Sequence, residues 1–146
     1  MSRPSAPSRD EYFWFRSITT RWSDNDIYGH INNVVYYGYF DTVANSYLIE
    51  EGGLDIHAGP TIGLVVASSC AYHAPLEHPS DIQGGLRIDR LGTSSVQYGI
   101  GIFESGSETA AANGTFTHVF VDRDQRTSLP IPDELRRALS AIQVPA

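Results

Sequence analysis

The amino-acid sequence predicts an α+β fold, an antiparallel sheet curled around one long buried helix, and three observations carry that prediction. Between Val34 and Glu51 the apolar residues Tyr36, Phe40, Val43, Ala44, Tyr47 and Leu48 recur at helical spacing. Four β-rich runs follow, joined by links too short for parallel crossovers. One aromatic and β-branched run precedes the helix. Elements in this order pack most simply as a sheet folded over the helix.

Taken in order, residues 1–11 are polar and proline-containing and are expected to form a disordered tail, with residues 12–146 as a single domain. Tyr12 to Trp22 reads as the first strand, and Arg21-Trp22-Ser23-Asp24 as its end. Asn25 to Ile31 is a turn containing Gly29, and Asn32 or Asn33 caps the helix. Gly52-Gly53 stops it. Tyr37, Tyr39 and Ile49 widen the apolar surface of the helix beyond one stripe, so more than one side of it is expected to be covered. The later runs are Ile62 to His73, Ile82 to Leu91, Ser95 to Phe103 and Thr109 to Val121. In the third of these, Val96, Tyr98, Ile100 and Ile102 alternate with Ser95, Gln97, Gly99 and Gly101, which buries one face. Gly99 and Gly101 on the other face leave room for a close approach, or mark curvature. Pro132 to Ile142 reads as a terminal helix with Asp133 and Glu134 at its positive end.

Composition excludes several classes of function. Seventeen acidic residues against ten basic ones, a formal charge of −7, argue against a nucleic-acid partner. All ten basic residues are arginines, which excludes a Schiff-base lysine and a P-loop lysine and leaves any phosphate to arginine or backbone N–H groups. Cys70, the one cysteine, reads as a small strand hydrophobe, and neither a disulfide nor a thiolate cluster is available. His57, His73, His78 and His118 are scattered, so no metal is expected. With neither a signal-peptide pattern nor an apolar run of membrane-spanning length, the expectation is a cytoplasmic protein without membrane contact.

The chemistry is concentrated in RWSDNDIYGHINNVVYYGYF, Arg21 to Phe40, where two acids, a histidine and two asparagines precede an aromatic-rich helix. A helix start presents unpaired N–H groups and a positive dipole end, so a carboxylate beside it provides an attacking group next to a place for an oxyanion. Spacing alone assigns both aspartates to turn and capping hydrogen bonds. The ordered combination Asp24-x-Asp26, Gly29-His30-x-Asn32-Asn33 and Tyr36 with Tyr39-Phe40 resembles the signature of hotdog-fold acyl-CoA thioesterases, in particular the 4-hydroxybenzoyl-CoA thioesterase-like branch. Arg90-Leu91-Gly92-Thr93-Ser94-Ser95-Val96 is a second family-like string.

The resemblance implies hydrolysis of an acyl-CoA to a free acid and CoA, with no cofactor beyond the CoA of the substrate, in a homodimer or homotetramer whose active site is shared between subunits. It makes Asp26 the catalytic carboxylate, as nucleophile or as general base, and leaves Asp24 structural. It puts the oxyanion donor at the Asn33 N–H, with Gly29 forming the turn. His30 either orients substrate or water or holds the turn. Arg90, Thr93, Ser94 and Ser95 are candidates for the CoA phosphates, against a solvated hairpin. Asp41 matches the helix carboxylate of another hotdog branch, and Asn45 stands where related chains carry an arginine. Rival readings are an acyl-carrier-protein thioesterase and a catalytically silent acyl-CoA-binding module. The acyl group is not legible in the chain.

Overall fold

The computed structural model describes residues 5–145. Its strands are β1 (Trp14–Ile18), β2 (Thr61–Tyr72), β3 (Ile82–Leu91), β4 (Ser95–Glu104) and β5 (Ala112–Asp122), with helix α1 (Val35–Glu50) between β1 and β2 and helix α2 (Asp133–Ala141) at the end. They form one antiparallel sheet in the order β1-β3-β4-β5-β2, which leaves β1 and β2 as edges.

The sheet curls over α1, as the element order predicts. Phe40, Val43, Ala44 and Leu48 of the helix are fully buried against Leu86, Ile88, Val96, Tyr98, Ile100 and Ile102 in one contiguous cluster, and Leu135 and Leu139 of α2 close its end. The alternation read in β4 is therefore the inner face of the sheet. The helix stops where Gly53 takes φ +69°, a region open to glycine, and the Leu54 N–H bonds back to the Leu48 carbonyl. Tyr37 and Ile49 remain exposed, so one chain covers only part of the apolar helix.

The tail departs from expectation. Residues 1–4 lie outside the described residues, but Arg9–Glu11 form a 3-10 turn that is part of the fold rather than disordered. The Arg9 side chain donates to the Ser107 and Glu104 carbonyls and to Gln83, and its guanidinium lies 4.9 Å from the Phe103 ring centroid. Tyr12 is buried on the outer sheet face with Phe103 and Ala110, over Gly85 and Gly101, where an added Cβ would come within about 3 Å of its ring. The missing side chains thus admit Tyr12, and that contact anchors the segment. Thr109 and Ala110 accordingly pair with Ser8 and Pro7 instead of extending β5.

One further boundary differs. β1 ends at Ile18, and Trp22–Asp24 form a 3-10 turn because the Asp24 carboxylate bonds back to the Arg21 N–H and closes it. No helix among the described residues is long and apolar enough to cross a membrane.

Candidate active site

The connection from β1 to α1 is built around two aspartates with opposite surroundings. Asp24 is fully buried. Its carboxylate accepts from the Arg21 N–H at 3.0 Å, the Arg21 Nε at 3.0 Å and the Tyr39 hydroxyl at 2.7 Å. Burial by itself would raise its pKa, but the Tyr39 and Arg21 hydrogen bonds and the guanidinium charge hold the carboxyl below the usual aspartate value. Asp24 also acts through its backbone, since its carbonyl accepts the Asn32 N–H at 2.9 Å.

Asp26 lies at the neck of a small loop. The Asp26 N–H bonds to the His30 carbonyl at 2.8 Å, the Gly29 N–H to the Asp26 carbonyl at 3.0 Å, and Asn25 pairs with Ile31 across the neck. Gly29 takes φ +82°, with nothing within 4 Å of a Cβ built there, so its constraint is the backbone alone. The loop is tied to the segment before β3 by the Ile31 N–H on the Leu76 carbonyl and by paired bonds between Asn25 and His78. One Asp26 oxygen, Oδ1, accepts the Tyr28 N–H at 2.9 Å and the His30 N–H at 3.4 Å. The other, Oδ2, has no hydrogen-bond donor among the described residues. The carboxylate is oriented by one oxygen and open at the other.

The helix start supplies the complementary group. Asn32 caps it, its side-chain oxygen taking the Val34 N–H at 3.2 Å and its carbonyl the Val35 N–H at 2.9 Å. From His30 to Val35, every backbone N–H has an acceptor among the described residues except that of Asn33. Asn33 is exposed, and with His30, Ile31, Tyr36, Tyr72, His73, Ala74 and Pro75 it lines an open cavity of about 310 Å³. In the same loop, Ile27 and Tyr28 are 92% and 83% exposed.

Sequence reasoning misses three members of this region. Tyr39, which the sequence presents as part of the apolar helix surface, carries in its hydroxyl the buried donor to Asp24. Tyr72 ends β2, His73 follows it, and neither carries a functional signal in the sequence; the Tyr72 hydroxyl donates to the Asn33 carbonyl at 2.9 Å, and His73 bonds to Asn113 at 2.6 Å. Asp41 is exposed and bonded to Asn45 on the next turn. Among the described residues no three of His, Cys, Asp and Glu converge on a metal-sized site.

Arg90, Thr93, Ser94 and Ser95 stand elsewhere. They occupy the β3–β4 hairpin, with the Thr93 and Ser94 carbonyls taken by Ile131 and Phe120 N–H groups and Arg90 exposed. β3 runs from the His78 side near Asp26 to that hairpin, which puts the two groups on the order of 30 Å apart. One chain does not bring them together.

The sequence from residue 20 to residue 139 matches the family model described as the thioesterase-like superfamily. The chain belongs to this superfamily. Among solved structures it is similar to the PA5185 protein of Pseudomonas aeruginosa strain PAO1, 56% identical over 97% of this chain and 99% of that one, with a TM-score of 0.95. It is also similar to the PA2801 protein of Pseudomonas aeruginosa, 30% identical over 85% and 95% of the two chains, TM-score 0.79. A 1,4-dihydroxy-2-naphthoyl-CoA thioesterase from Synechocystis shares the fold at 18% identity over 86% and 94%, TM-score 0.76. A curated relative, the uncharacterized protein YsmA of Bacillus subtilis, is 24% identical over 88 residues, and this chain spans 59% of that relative's length. The architecture is the hotdog fold, and superfamily membership supports thioester hydrolysis as the general activity.

Proposed function

We propose that this thioesterase hydrolyses acyl-CoA to a free carboxylic acid and CoA, with Asp26 and the Asn33 N–H as its two chemical groups and no cofactor beyond the CoA of the substrate. The observation that carries the reading is their complementary availability within one connection: an aspartate oxygen without a donor among the described residues, and seven residues on, where the chain enters α1, an exposed N–H without an acceptor. A thioester carbonyl placed between them would be attacked from the Asp26 side while its oxygen gathers charge toward the Asn33 N–H and the positive helix end. Asp26 either takes the proton of the attacking water or attacks the carbonyl itself and is released by water. In both routes the carbonyl–sulfur bond breaks, and the thiolate leaves as CoA thiol after taking up a proton. The His30 N–H bonds to the Asp26 side chain, and His30 lines the cavity where the acyl group would lie.

The assembly we propose is a homodimer, with a homotetramer as the larger form. β2 is an edge strand with Val65 and Val66 about half exposed, an unstable arrangement for a strand left unpaired. Antiparallel pairing of two β2 strands about a two-fold axis would set the Thr61 end of one beside the Tyr72 end of the other. The partner's Arg90–Ser95 hairpin would then sit at the same end of the assembly as Asp26, where arginine and hydroxyl groups can hold CoA phosphates.

The test is release of free thiol from a panel of aryl-, short- and long-chain acyl-CoAs, each compared with the same acyl group on a carrier protein. The expected result is turnover of an acyl-CoA by the wild type and a loss of about 100-fold or more in kcat for Asp26→Asn with unchanged circular dichroism. Binding by calorimetry without thiol release would instead favour the silent module, and preference for the carrier-protein donor the other rival. Single turnover in ¹⁸O-water separates the two roles of Asp26, because only the nucleophilic route labels its carboxylate.

A further inference from the structure

Asn33 is held from both sides by one ladder of tyrosines. On the upstream side the Asn32 N–H is fixed by the Asp24 carbonyl, and the Asp24 side chain by the Tyr39 hydroxyl. On the downstream side the Asn33 carbonyl accepts the Tyr72 hydroxyl at 2.9 Å. The rings are themselves in contact: Tyr72 meets Tyr36 edge-on at 5.2 Å between centroids, and Tyr36 meets Tyr39 at 5.9 Å. The Ile31–Asn32 and Asn33–Val34 peptide groups are therefore each anchored, and the Asn32–Asn33 peptide between them carries the N–H left without an acceptor.

We infer that Tyr72, through its hydrogen bond to the Asn33 carbonyl, is a positioning residue for the oxyanion-binding N–H of Asn33. The inference rests on the functional reading above and assigns a role to a residue on the edge strand, 39 positions away in sequence. Electrostatic stabilisation works only if the donor is already aimed where charge will develop. The first residues of a helix have few internal bonds to hold that aim. Burial and the neighbouring Cys70 thiol push the Tyr72 phenol above the usual tyrosine value, so it remains a donor across the working pH range.

Tyr72→Phe removes the hydroxyl and keeps the ring on Tyr36; the side chain is partly exposed, so the fold survives the change. Removing an oxyanion donor outright costs 100- to 1000-fold in kcat, and loosening one should cost less, about tenfold, with KM unchanged within about twofold. In ¹H–¹⁵N spectra the amides of Asn33 and Val34 should shift and become more mobile while those of β4 and β5 stay in place. A general structural defect would lower Tm and disturb amides throughout the sheet without this split between kcat and KM. Wild-type kcat in Tyr72→Phe, a loss confined to KM, or unmoved Asn33 and Val34 amides would each overturn the inference. If the wild-type protein releases no thiol from any thioester, the functional reading falls, and the amide spectra alone decide whether Tyr72 holds this peptide.

Discussion

His118 should make the protein acid-sensitive well above the range in which carboxylates titrate. It lies on the inner face of β5, 1% exposed, ringed edge-on by Tyr98, Phe116 and Phe120, with its Nδ1 sharing a 3.0 Å hydrogen bond with the Tyr98 hydroxyl. Burial lowers its pKa from 6.5 to about 4. As pH falls through 6.5 the unfolded chain takes up a proton that the native chain refuses until about pH 4. The unfolded state therefore binds more protons in that window, and stability falls with pH there. At about 1.36 kcal/mol per pH unit, roughly 3 kcal/mol is lost between pH 7.5 and 4, of which about 2 kcal/mol has gone by pH 5. His118→Gln keeps a polar partner for Tyr98 but cannot titrate. Urea denaturation at fixed protein concentration, followed by tryptophan fluorescence at pH 7.5, 6 and 5, should give a steep loss for the wild type and a slope shallower by about 2 kcal/mol for the variant. The same slope in both proteins would refute the assignment of a neutral, proton-refusing His118.

Three other perturbations bear on the argument. Tyr39→Phe removes a 2.7 Å donor from the buried Asp24 carboxylate and should cost about 2 kcal/mol at pH 7 by denaturant titration; because the native Asp24 pKa is lowered, that cost should shrink as pH falls below about 3.8 and the carboxylate protonates. Gly101→Val places a Cβ about 2.9 Å from the Tyr12 ring and should destabilise by about 1–3 kcal/mol, with limited proteolysis showing early cleavage near residues 7–12. Arg90→Ala should raise KM for an acyl-CoA severalfold with kcat little changed, and should leave hydrolysis of a pantetheine thioester, which lacks the nucleotide phosphates, untouched.

The parts of the fold that the chain states plainly are those whose period is long enough to be counted. α1 and β4 each sustain one pattern over ten or more residues, and their observed limits fall within a residue of the ones read. The N-terminal segment has no period. Its order comes from Tyr12 filling the space above Gly85 and Gly101, residues more than seventy positions away, and from Arg9 reaching three elements at once. The glycines did signal that something comes close, without naming it. At the candidate site, the order of acids, glycine and asparagines is legible in the chain, but its supports are long-range: Tyr39 to Asp24, Tyr72 to Asn33 and Asn25 to His78 join residues that no local pattern links.

The two acids also explain each other. Asp24 and Asp26 are two residues apart, and had both been buried or both exposed, the loop would offer either no open carboxylate or no rigid frame. Asp24 commits its side chain to Arg21 and Tyr39 and its carbonyl to the Asn32 N–H. With the Asn32 N–H occupied and the Val34 N–H taken by the Asn32 side chain, the Asn33 N–H between them is left among the unsatisfied donors of the helix start. Asp24 therefore holds the chain where it enters α1 with the Asn33 N–H left without an acceptor, and Asp26, oriented by a single oxygen, keeps the other without a donor among the described residues. In the proposed reaction, a buried residue that takes no part in the chemistry would thus hold in place the N–H that receives the charge on the substrate.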